Sequence, residues 1–151
     1  MKTEIKNLLL YFSLKYNGVF KDEYNALAEK EDFNVDEFIK LRKNIKHKYI
    51  TLLDDKYPDF LKTSNCPPFV MYYQGNLELI DSDLPVKFEV LESGHRMIST
   101  VAPYEKNGKM MFDYVVGCEN EKELEKLIDH IHSKGLELKD YSKHKKKDLE
   151  R

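Results

Sequence analysis

The hydrophobic periodicity of this chain changes once along its length, and that change limits what it can fold into. Up to Ile45 apolar residues recur at helical spacing, whereas after Val86 they alternate as in a half-buried strand. Ile5, Leu8, Leu9, Phe12 and Tyr16 line one face of a first helix, and Gly18 sits where a helix commonly stops. Phe20, Tyr24, Leu27 and Ala28 repeat the pattern in a shorter second helix. Asn34 with Glu37 can form a reciprocal cap, opening a third helix with Phe38, Leu41 and Ile45 inward. Short connections between such helices favour a compact bundle.

In the last third, Val86, Phe88 and Val90 alternate with Lys87, Glu89 and Leu91. A second strand is expected over residues 95–101, and Asn107-Gly108 is a hairpin signal. The third strand, 109–116, carries Phe112, Tyr114 and Val116 on one face. Asn120 and Glu123 repeat the capping pattern and open a helix with Leu124, Leu127, Ile128 and Ile131 in one stripe, ended by Gly135. The expected fold class is α+β, with an N-terminal three-helix bundle and a short strand-turn segment, then a small antiparallel sheet covered by one helix. The expected division is 1–80, 84–139 and a basic tail, 140–151.

A chain of 151 residues can bury one ordinary core or two small ones. Its 27 acids against 25 bases leave a net charge of −2, so no global field draws it to nucleic acid or an anionic membrane. Apolar runs such as 50–53 and 69–73 are too short to span a bilayer. The start of the chain lacks a signal-peptide apolar region, so a cytoplasmic protein with no membrane partner is expected. Cys66 and Cys118 have no metal spacing and are expected to be free thiols.

Catalytic patterns are absent: no Walker loop, no Gly-x-Gly-x-x-Gly, no Cys-x-x-Cys and no Gly-x-Ser-x-Gly. His130 and His132 lie two apart on a helix and do not share a face. Asp54 and Asp55 read as turn and cap residues. No enzyme activity, cofactor or metal site is therefore expected. Candidate contacts to a partner or to nucleic acid are Lys40, Arg42, Lys43, Lys46 and Lys48 around the third helix, together with Arg96 and the tail lysines Lys143, Lys145, Lys146 and Lys147. The same cations also suit a solvated face and a helix C-terminus. Tyr72 and Tyr73 are candidate stacking platforms or interface anchors.

Between the two periodic regions, the segment 49–80 reads YITLLDDKYPDFLKTSNCPPFVMYYQGNLELI. Its order of Asp-Asp, Tyr57-Pro58, Pro67-Pro68, the strand-like FVMYY and Gly75-Asn76 resembles the segment just before the nucleotide-fold domain of the DprA/Smf family of DNA-processing proteins. The resemblance covers about a fifth of the chain. It implies that a strand ending in a Gly-Ser-Arg phosphate loop, and then a large Rossmann-like domain, should follow. This sequence carries neither, and at the strand-to-helix position it reads Gly117-Cys118-Glu119-Asn120-Glu121. Carboxylates at a helix N-terminus stabilise its dipole and repel phosphate. The expected function is a non-catalytic accessory or inhibitory protein-interaction module on a truncated DprA-like scaffold, of the anti-defence kind that a phage or mobile element encodes. The alternative is a DprA/Smf-like protein that assists single-stranded DNA handling or recombination. Expected partners are another protein, a second copy of the chain, and single-stranded DNA with weak affinity.

Overall fold

The computed structural model describes residues 2–81, 86–90 and 96–133. Three helices come first: α1 (Lys2–Lys15), α2 (Phe20–Ala28) and α3 (Val35–Arg42). Strand β1 (Lys48–Thr51), the single turn of α4 (Asp59–Lys62) and β2 (Val70–Gly75) follow, then a 3-10 turn over Leu77–Asp81. Strands β3 (Val86–Val90), β4 (Arg96–Lys106) and β5 (Lys109–Cys118) precede α5 (Glu121–Ser133). This is the α+β architecture that the periodicity predicts.

The sheet reaches further than the alternating strands of the last third. It has five antiparallel strands in the order β1-β2-β5-β4-β3. Strand β2 pairs with the end of β5, from Tyr72 opposite Cys118 to Gly75 opposite Val115. The two expected units, 1–80 and 84–139, are therefore joined by one hydrogen-bonded ladder. Pairing satisfies the backbone groups that β2 and β5 would otherwise leave on open edges. The β4–β5 hairpin turns at Asn107-Gly108, with φ of +53° and +76°. A two-residue turn of this kind needs both residues at positive φ, which these two residue types tolerate. The third strand continues through Gly117 and Cys118, two residues beyond its expected end.

Alternation along β2 and β5 divides the interior between two faces. Val70, Tyr72, Val116 and Cys118 pack with Leu9, Leu10 and Phe12 of α1 and with Leu124, Leu127 and Ile128 of α5. Met71 and Val115 face the other way, onto Ile50, Tyr57, Leu61, Leu77 and Ile80. The first and last helices thus share a core. Tyr57 is fixed in the second of these layers by donating its hydroxyl to the Pro68 carbonyl at 2.7 Å. Asn76 Oδ1 accepts the Glu78 N–H at 3.1 Å, capping the 3-10 turn. Asp54 is the turn residue expected: its Oδ2 accepts the Thr51 N–H at 2.7 Å, and Lys6 Nζ reaches its Oδ1.

The expected face of α1 is widened and that of α2 is rotated; in α1, Leu8, Leu9, Phe12 and Tyr16 all join the core as expected. Ile5 is 44% exposed, while Leu9 to Ser13 are all buried. The middle of α1 is enclosed because α2, α3 and the sheet with α5 surround it, so burial there exceeds a single stripe. In α2 the buried residues are Glu23 and Ala26, and Tyr24 is 56% exposed. Helix α3 keeps its cap, with the Glu37 N–H donating to Asn34 Oδ1 at 3.0 Å, and buries Phe38. It ends at Arg42, so Ile45 packs inward from the loop that follows.

Candidate functional site

The end of α1, the segment after α3 and the start of α5 meet around a cleft of about 510 Å³. Ser13 and Asn17 form one wall, Lys43, Asn44 and Lys46 another, and Asn120, Glu121, Lys122 and Glu125 the third, with the buried Tyr72 at its base. Asn17 and Gly18 turn the chain out of α1 in left-handed conformations, with φ of +53° and +74°. Asn120 caps α5 by accepting the Glu123 N–H at 2.8 Å and holds the turn by donating to the Asn17 carbonyl at 2.7 Å.

Charge around the cleft is mixed. Lys43, Lys46 and Lys122 line it beside Glu121 and Glu125. The backbone N–H of Lys46 donates to Glu121 Oε1, and Lys46 Nζ lies 3.9 Å from Glu125 Oε1. His47 places Nδ1 3.4 Å from the same Glu121 oxygen. That nitrogen is buried without a hydrogen-bond partner. His47, Glu121 and Glu125 each offer a donor atom, and these atoms lie within 4.8 Å of one another.

Beneath the cleft, the buried hydroxyls of Ser13 and Tyr72 share a hydrogen bond of 3.0 Å. Burial pushes the Glu23 carboxyl up to about 8, helped by the nearby Glu119 carboxylate and opposed by a hydrogen bond with Ser13. Burial likewise pushes the Cys118 thiol up to about 12, and raises the Tyr72 phenol. A thiol held protonated in this way is a poor nucleophile. Cys66 is exposed, and both cysteines are free.

Lys40, Arg42, Lys43, Lys46 and Lys48 are all exposed, and of these Lys43 and Lys46 reach the cleft. Arg42 lies over the Phe38 ring at 5.9 Å, and Lys48 opens β1 opposite Tyr73. Tyr72 corrects an expectation: it is fully buried, so its ring offers no face to a base or a partner. Tyr73 is half-buried against the second core. Arg96 opens β4 opposite Val90. Lys143, Lys145, Lys146 and Lys147 lie outside the described residues.

Gly117 lies within β5, where a Cβ would come 2.9 Å from Met71 Sδ. Close packing is reason enough for this glycine. Sequence reasoning missed the His47–Glu121–Glu125 grouping. Its one local signal is Glu-x-x-x-Glu at the start of α5, which puts two carboxylates on one helical face. His47 reaches them only through tertiary packing.

Comparison with protein families, with curated proteins and with solved structures finds no match to this chain. Among the described residues, no helix is long and apolar enough to cross a membrane.

Proposed function

We propose that this chain is a non-catalytic accessory or inhibitory module that acts by binding another protein, on a scaffold whose 49–80 segment resembles that of DprA/Smf proteins. The observation that carries this reading is the outer face of α3. Val35 and Ile39, four residues apart on one side of that helix, are 56% and 47% exposed, and Phe33 just before the helix is also exposed. Apolar residues grouped on one helical face cost solubility and are a common mark of a protein-docking surface. Lys40, Arg42 and Lys43 on and after the same helix suit a partner with an acidic rim. The raised Cys118 thiol weighs against thiol-based covalent catalysis.

The second reading, single-stranded DNA handling, rests on the same exposed lysines. Affinity capture from a bacterial lysate, with and without nuclease, distinguishes the two when the parent is compared with a Val35→Ser/Ile39→Ser double variant. The interaction-module reading expects a partner that survives nuclease and is lost in the double variant. A partner that disappears with nuclease and survives the double substitution supports the DNA reading instead. In that case a labelled oligonucleotide should bind with an affinity that falls steeply as salt rises, and with a Kd of about 1–100 μM at physiological salt.

A further inference from the structure

We infer that His47, Glu121 and Glu125 form a binding site for a first-row divalent metal ion of the zinc type. The donors come from two separate elements: the residue before β1, and two positions one helical turn apart at the start of α5. One imidazole nitrogen with carboxylate oxygens is a donor set that zinc accepts, and three protein ligands leave a further position open.

The geometry at His47 fits such an ion. Its buried Nδ1 stands 3.4 Å from Glu121 Oε1 with no hydrogen bond between them. An imidazole nitrogen and a carboxylate oxygen facing each other at that distance call for one positive centre between them, either a proton on the ring or a bound metal ion, and the third donor on Glu125 favours the metal. With zinc–nitrogen and zinc–oxygen bonds of about 2.0–2.2 Å, two ligands on a tetrahedral ion stand about 3.4 Å apart. The observed separation therefore already matches an edge of that coordination shell.

The surroundings fit the same role. His47 and Glu121 have side chains only 14% and 15% exposed, so an ion between them loses little to competing water. The Lys46 backbone N–H on Glu121 Oε1 orients that carboxylate, as outer partners of metal ligands commonly do. Lys46 Nζ, on a side chain 76% exposed, stands 3.9 Å from Glu125 Oε1 and is free to swing away. Glu121 and Glu125 also line the cleft, which gives an ion a way in to the donors.

The test is calorimetric titration of the full chain with Zn²⁺, with the visible absorption of added Co²⁺ as a second readout. The parent takes up one ion per chain, and Co²⁺ gives the bands of a four-coordinate site. His47→Ala and Glu125→Gln each weaken zinc binding by more than about tenfold. Glu125→Gln is isosteric at a half-exposed position, so its circular dichroism stays that of the parent and the loss is not one of folding. A His130→Ala/His132→Ala variant, altered at two exposed histidines on the same helix, binds like the parent. Lys46→Met, which removes the competing ammonium, binds at least as tightly. The proposal is overturned if the parent takes up no zinc, if Glu125→Gln keeps parental affinity, or if the His130/His132 variant loses the ion.

Discussion

Asn120 donates from Nδ2 to the carbonyl of Asn17 at 2.7 Å, across most of the described chain, while its Oδ1 caps α5. One amide therefore fixes both the start of the last helix and the turn that ends the first. Gly18 packs against that same side chain. A Cβ there would come 2.9 Å from Asn120 Nδ2 and 3.0 Å from the Glu119 carbonyl.

Asn120→Ala removes the cap and leaves the Asn17 carbonyl without this donor, so a loss of about 1–3 kcal/mol is expected in denaturant melts. Asn120→Ser keeps a capping oxygen but cannot span to Asn17, and its loss falls between the parent and Asn120→Ala. Gly18→Ala meets both a left-handed φ and a crowded neighbour, and costs more than about 1 kcal/mol. Equal midpoints for Asn120→Ala and the parent would show that this link carries no stability.

Glu23 makes stability depend on pH in a direction opposite to that of a salt-bridged acid. Its carboxyl is raised from 4.5 to about 8, first by burial and then by Glu119, against the Ser13 hydrogen bond. Below 4.5 it is neutral whether the chain is folded or not. Between 4.5 and 8 the unfolded chain releases a proton that the folded chain retains, so stability falls as pH rises through that window. The full effect above pH 8 is on the order of a few kcal/mol. Glu23→Gln removes this slope, so thermal melts at pH 5, 7 and 8.5 should show the variant gaining on the parent as pH rises. A parent and variant with parallel pH profiles would contradict it.

Leu127 is buried in the core that α5 shares with α1 and the sheet. Leu127→Asp places an uncompensated charge there, at a cost of more than about 4 kcal/mol. Because the first and last helices share that core, the loss is expected to be cooperative rather than confined to the C-terminal third. Circular dichroism of the variant should show the helical signal falling in one transition, well below the parent's melting temperature. A variant melting with the parent would place this face of α5 outside the core.

Local chemistry was legible in the sequence wherever the residues that decide it are neighbours. Asn34 and Asn120 cap their helices, Asn107-Gly108 turns the hairpin, and Asp54 closes a turn through its own side chain. The alternation after Val86 predicted strands, and the stripe on α5 predicted its buried Leu124, Leu127 and Ile128. Each of these is a short-range effect of backbone geometry and period.

What only the tertiary structure decided is which surfaces face one another. Periodicity says that a strand has two faces but not which strand it pairs with, so the union of β2 with β5 into one sheet had no local signature. The same holds for Tyr24 and Glu23, whose exposure and burial exchange places relative to the apolar pattern because α2 docks on a face set by α1. Tyr72 is enclosed because α1 and α5 both lie on its side of the sheet. His47 lies between Lys46 and Lys48 in the chain and stands beside Glu121 in the fold. Contacts between residues far apart in the chain depend on the sum of many burial energies, and no single stretch of sequence contains that sum.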